Sequence, residues 1–137
     1  MIKIFFIVCL LMFVVSCAEN PKVCESDDDR ISGCVSKVYD EDGTLMGEMP
    51  YQNGKLNGLV KAYGANGELL SEMPFKETLV NGIARLYNEN QVLVEVNFKD
   101  GELISGKCGN GKKLNEEELY RASVSFVEAL DICKHIQ

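Results

Sequence analysis

Gly58-Leu59-Val60-Lys61-Ala62-Tyr63, running into Asn66-Gly67-Glu68-Leu69-Leu70-Ser71-Glu72-Met73-Pro74-Phe75, is the stretch that decides the fold. Its landmarks return at a spacing of 24 residues in both directions. Upstream stand Tyr39, Asp42-Gly43, Leu45 and Glu48-Met49-Pro50-Tyr51; downstream stand Gly82, Tyr87, Asn90 and Leu93. Gly58, Gly82 and Gly106 keep the same period. A fixed period of this length signals a repeat architecture, in which each unit buries its apolar residues against its neighbours.

Each unit holds two short apolar-rich runs separated by turn pairs: Asp42-Gly43, Asn53-Gly54, Asn66-Gly67, Asp100-Gly101 and Asn110-Gly111. Such pairs supply the positive φ angles of tight turns, and between strand-like runs they mark hairpins. The fold expected is mainly β, a single antiparallel meander of repeated hairpins. Strands are predicted near 34–39, 44–51, 59–63, 68–75, 83–87, 92–98 and 103–108. Tyr39, Tyr63 and Tyr87 end equivalent strands, and Tyr51, Phe75 and Phe98 end their partners. In register they would form packing ladders. Pro50 and Pro74 cannot donate to a sheet, so each predicts a bulge or strand end.

The pattern Gly-x-x-x-x-Tyr-x-x-Asn-Gly-x-Leu-x-x-Glu-x-x-aromatic resembles the bacterial variant of the MORN repeat, common in proteins labelled YwqK-like antitoxins. The resemblance covers about residues 33–114 and is best from Tyr39 to Asn81. It implies a repeat sheet and a protein-binding or antitoxin role, and it carries no active site. Several positions depart from it. Gln91 stands where a turn glycine is expected, and Glu77-Thr78 stands for Asn-Gly. The third unit loses a residue before Phe98 and regains it before Gly106, and the fourth stops after Leu114.

Residues 1–16 read as a signal peptide: Lys3, then an apolar run Ile4–Val15 too short to span a bilayer as a helix. Val14-Val15-Ser16-Cys17 resembles a lipoprotein cleavage site, which implies an acylated Cys17 and a membrane anchor. Ala18 in place of aspartate favours the outer membrane of a bacterial cell envelope. Residues 17–32, with Ser26-Asp27-Asp28-Asp29-Arg30, read as a flexible tether. Neither the aspartates nor Asp40-Glu41-Asp42-Gly43 has the ligand spacing of a calcium loop.

From Asn115 the period changes. Asn115 and Glu118 form a capping-box pair. Leu119, Ala122, Phe126, Leu130 and Cys133 fall on one helical face, so residues 115–137 are expected to form one capping helix over the sheet.

Once Cys9 leaves with the leader and Cys17 is acylated, Cys24, Cys34, Cys108 and Cys133 remain. An even number in an exported chain predicts disulfides, and without a Cys-x-x-Cys pair zinc is disfavoured. Cys34 and Cys108 lie at opposite ends of an open meander, about 29 Å apart at ~4.8 Å per strand. A bond needs Cα atoms within ~7 Å. Local pairing, Cys24–Cys34 and Cys108–Cys133, is therefore expected.

The formal charge of −7 argues against nucleic acid. The only histidine is His135, and no nucleophile–base pair or metal triad is legible. No enzyme activity, cofactor or small-molecule substrate is expected. The reading is a lipid-anchored, non-catalytic module that binds a protein partner. The alternative is an immunity protein that neutralises a dedicated toxin.

Overall fold

The computed structural model describes residues 21–134. The expected signal peptide, Cys17 and His135 lie outside the described residues. The order is α1 (Asp27–Ser32), β1 (Cys34–Tyr39), β2 (Leu45–Gln52), β3 (Lys55–Leu56), β4 (Gly58–Tyr63) and β5 (Leu69–Lys76). There follow β6 (Leu79–Val80), β7 (Gly82–Asn88), β8 (Gln91–Lys99), β9 (Glu102–Cys108), α2 (Glu116–Val124) and α3 (Phe126–Lys134). The strands form one antiparallel sheet in the order β1-β2-β4-β5-β7-β8-β9, with β3 beside β2 and β6 beside β5. This is the expected meander of hairpins.

Two kinds of turn alternate. The wide turns join β1 to β2 and β4 to β5. In the first, Asp40 Oδ1 accepts from the Asp42 and Thr44 amides; in the second, Asn66 Oδ1 accepts from the Glu68 amide. The tight turns have both central residues left-handed: Asn53-Gly54, Glu77-Thr78 and Asp100-Gly101. Glu77-Thr78 thus makes the same turn as Asn53-Gly54 without a glycine, and Thr78 sits at φ 75°.

The third unit breaks the period at its first turn. Tyr39 pairs with Leu45 and Tyr63 with Leu69, but Tyr87 pairs with Val92. The missing residue turns a wide loop into the tight pair Glu89-Asn90, both left-handed. Val92, not Leu93, is the structural equivalent of Leu69, and Gln91 belongs to β8 rather than to the turn.

Gly58 and Gly82 begin β4 and β7 at positive φ, 123° and 117°. A Cβ on Gly58 would stand 2.9 Å from Pro50 Cγ, and one on Gly82 would stand 3.2 Å from Pro74 Cγ. Each proline lies where the next strand kinks away, so its missing N–H leaves no gap in the ladder. Gly106 keeps the spacing but not the role. It pairs with Val96 inside β9, and a Cβ there would meet Leu119 Cδ1 at 2.6 Å. Its glycine makes room for a helix.

Residues 21–32 are not the flexible tether expected. Ser26 caps α1, and Asp29 accepts from the Ser26 and Glu25 amides and pairs with Lys22. The Thr78 amide donates to Leu56 O, and the Gly101 amide to Val80 O, so each tight turn leans on the unit before it. The Asn53 and Gly54 amides donate to Ile31 O and Arg30 O in the same way. The segment α1 therefore replaces a preceding repeat and caps the array. Its charge run is spent on helix capping, which composition alone does not reveal.

The single C-terminal helix is also corrected. Asn115 and Glu118 form the predicted capping box. The helix then stops at Ser125, which is extended (φ −146°, ψ 124°). Ser125 Oγ accepts from the Glu128 amide, starting α3, and Arg121 pairs with Glu128 across the corner. Leu119, Ala122, Ala129, Ile132 and Cys133 are buried, whereas Phe126 is 40% exposed. The core lies between these helices and β8–β9, around Val94, Val96 and Cys108.

Candidate functional site

Residues paired across antiparallel strands share a face, and alternate residues along a strand take opposite faces. One face carries a continuous charge ladder. Lys37 pairs with Glu48, Glu48 with Lys61, Lys61 with Glu72, Glu72 with Arg85, Arg85 with Glu95, and Glu95 with Lys107. The sign alternates at every step across seven strands. Arg85 Nε and Lys107 Nζ each stand 2.9 Å from a Glu95 oxygen, and Lys37 Nζ stands 3.7 Å from Glu48. Hydrogen bonds from Lys107 and Arg85 hold the Glu95 carboxyl below its usual range.

Tyr63 donates to Glu48 at 2.9 Å and Tyr87 to Glu72 at 2.8 Å, each reaching back to the preceding unit's carboxylate. Burial, then the bond to Glu48, pushes the Tyr63 phenol up to about 12. Burial and the bond to Glu72 raise that of Tyr87. Both phenols stay protonated at neutral pH and act as fixed donors. The ladder's four cations and three carboxylates nearly cancel.

The other face is apolar. Tyr51, Phe75 and Phe98 pair with Cys34, Gly58 and Gly82, so the two aromatic series expected from sequence lie on opposite faces. Beside them runs a row of Ser36, Met49, Val60, Met73, Ala84 and Val96, and then a row of Val38, Gly47, Ala62, Ser71, Leu86 and Val94. The helices α2 and α3 pack on β8 and β9. There Ala84, Val96 and Val94 are buried. The equivalent Val60, Met73, Met49 and Ser71 are only half-buried, and Val38 is 43% exposed.

At the far end α1 stands by the sheet, with the Arg30 guanidinium 5.1 Å from the Tyr51 ring centroid. Between α1 and α2 the apolar face is open over β1, β2, β4 and β5. Small Gly47, Ala62 and Ser71 lie in the row beside Met49, Val60 and Met73. This open face is the candidate site.

Of the residues singled out from sequence, Cys24 is bonded to Cys34 (Cα–Cα 5.1 Å) and Cys108 to Cys133 (5.4 Å). Cys17 lies outside the described residues. Among the described residues no group of three or more His, Cys, Asp or Glu side chains is placed to hold a metal. Among them, too, no helix is long and apolar enough to cross a membrane. The charge ladder escaped the sequence reading because its members line up only once strand register is known.

Two stretches, residues 35–53 and 56–77, match the model of the MORN repeat variant. They are the hairpins β1–β2 and β4–β5, the units whose apolar face is open. No curated protein matches the chain. The fold and the match agree on a MORN repeat variant in a sheet of hairpins, an architecture consistent with a repeat-based interaction module.

Proposed function

We propose that this chain is a non-catalytic interaction module of the bacterial cell envelope, anchored through an acylated Cys17 and binding a protein partner on its open apolar face. The observation that carries the reading is the half-buried row of Met49, Val60 and Met73, whose counterparts in the third unit, Ala84 and Val96, are buried. A surface of this kind marks a contact site. The sequence Val14-Val15-Ser16-Cys17 supports the anchor, with the outer membrane favoured. A second reading, an immunity protein against a basic toxin, is favoured by the charge of −7.

Two measurements test the proposal in the native cells. Fatty-acid labelling should mark the wild type and not Cys17→Ser; equal labelling of both sinks the anchor. Crosslinking from the surface should capture a discrete partner that is lost in the double variant Met49→Lys, Met73→Lys. Capture unaffected by that variant would remove the open face as the site. A captured toxin, lethal in the absence of this chain, would establish the second reading.

A further inference from the structure

A sheet has two edges, and this one treats them differently. On the outer side of β1, Lys22 O accepts from the Val35 amide, and the Cys24 amide donates to Val35 O. The remainder of that edge begins with Lys37, and an edge lysine discourages a further strand. On the outer side of β9, Leu114 donates to Gly106 O and Cys108 donates to Lys112 O. From Glu102 to Ser105 nothing among the described residues pairs with the outer side of β9. This segment carries no lysine, and its register slips at Ile104, which is 51% exposed.

The free segment is the floor of an open groove of about 1040 Å³ between β9 and the start of α2. Leu103, Ile104 and Tyr120, the last 62% exposed, give it apolar contact area. Glu116 and Glu117 give it negative charge, and no basic side chain lines it. Neither glutamate has a direct ion pair among the described residues, though Glu117 acts electrostatically on Arg121 one turn on.

We infer that the β9 edge takes an extended basic segment of a partner protein as an added strand. Unpaired backbone groups on a strand edge are matched by another extended chain, and apolar residues beside them select alternate side chains. Glu116 and Glu117 select lysine or arginine at the positions that face α2. The same charge disfavours a second copy of this chain, since two such edges would bring their glutamates together. Four residues of free edge span about 14 Å, so the added strand is short and its binding is weak and salt-sensitive.

The inference rests on the reading of the chain as a binding module, but it concerns a different surface. The test uses the full chain, without its signal peptide, and a fluorescent peptide of alternating lysine and valine. Anisotropy should report saturable binding that weakens with salt, and a glutamate–valine peptide should not bind. Amide NMR shifts should concentrate in Leu103–Ser105. Glu116→Lys with Glu117→Lys should weaken binding about tenfold or more with an unchanged circular dichroism spectrum. Glu41→Lys with Asp42→Lys, at the β1–β2 turn, should change it little.

Equal loss from both charge reversals, or shifts spread over the whole acidic surface, overturns the inference. So does concentration-dependent self-association that Ile104→Lys abolishes, since the edge would then serve a second copy. Peptide binding lost in Met49→Lys, Met73→Lys but kept in the α2 variant moves the site to the open face. That result ends the edge proposal and leaves the proposed function standing.

Discussion

The hairpin β4–β5 and the hairpin β7–β8 are built from one repeat and end in different states. Both carry a carboxylate in the charge ladder, a tyrosine reaching back to the preceding unit, and an aromatic paired with a glycine. Yet Val96 is 4% exposed, while Met73 at the same register is half-buried. The row nearest the tyrosines makes the difference. It holds Gly47 in the first unit, Ser71 in the second and Val94 in the third. Of these three second-strand residues only Val94 is a branched apolar side chain, and that is where α2 and α3 sit. A repeat sheet by itself has no core; it acquires one where a helix covers it, and elsewhere its apolar face remains available.

The comparison breaks most visibly if the covering is released. The Cys108–Cys133 bond ties α3 to β9 and closes a span of 25 residues; the Cys24–Cys34 bond closes 10. Chain entropy alone gives about 3.5 kcal/mol for the longer span and about 2.7 kcal/mol for the shorter. Cys108 and Cys133 also lie inside the core cluster, whereas Cys24 lies at the array's end. Cys133→Ala with Cys108→Ala should therefore lower the melting temperature more than Cys24→Ala with Cys34→Ala. It should also expose dye-binding apolar surface. Equal losses would mean the helices add nothing to the third unit.

Much of this fold is legible in the residues themselves. Asn53-Gly54 and Asp100-Gly101 name their turns because glycine, asparagine and aspartate tolerate positive φ, and Pro50, inside β2 rather than at a bulge of it, marks the break in pairing with the next strand because it lacks an N–H. Three features are not legible by period. The helix α1 is six residues long, too short to show a helical pattern, and its aspartates look like a solvated run until Asp29 is seen accepting from the amide of the N-cap Ser26. The break at Ser125 has a local signal, Ser125-x-x-Glu128, a capping sequence overshadowed by the apolar spacing on both sides. The open face has none, because Met49 and Met73 look like core residues; only the seat of α2 shows that they lack a cover.

A single substitution can make the third unit resemble the second. Val94 is fully buried. Val94→Ser loses its apolar burial and places a hydroxyl among Leu93, Cys108 and Ala122, at a cost of about 2–3 kcal/mol. The reverse exchange, Ser71→Val, adds a methyl-bearing side chain to an open face and should change stability by less than about 0.5 kcal/mol. Urea titrations of the two variants read the contrast directly. A large loss from Ser71→Val would show that the second unit is packed as tightly as the third.

The tight turns offer a smaller, stabilising test. Thr78 adopts φ 75°, where its equivalent in the first hairpin, Gly54, sits at 73°. A β-branched residue resists this region, and glycine does not. Thr78→Gly relieves that strain but adds freedom to the unfolded chain, so the net gain is about 0.5–1 kcal/mol. Gly54→Thr should lose at least as much. If Thr78→Gly melts below the wild type, the turn is held by contacts of the threonine side chain.

The smallest effect lies on the charged face, where the covered unit again differs. Glu95 is flanked by two cations at 2.9 Å, whereas the ion pair of Glu48 with Lys37 is 3.7 Å long. The Lys107 and Arg85 bonds hold the folded Glu95 carboxyl below its ordinary value. A carboxyl lowered on folding contributes stability that is fully present above its unfolded pKa and is lost as pH falls through its folded pKa. Glu95→Gln removes that dependence. Its deficit should be constant from pH 7 to about 5, at most ~1 kcal/mol for a pair this close to solvent, and should shrink as pH falls through the folded value. Added salt should shrink the deficit at pH 7, since the cations are partly exposed. A deficit that persists unchanged at pH 3 would assign Glu95 to packing rather than to charge, and the ladder's covered end would then be held as its open end is, by the strands beneath it.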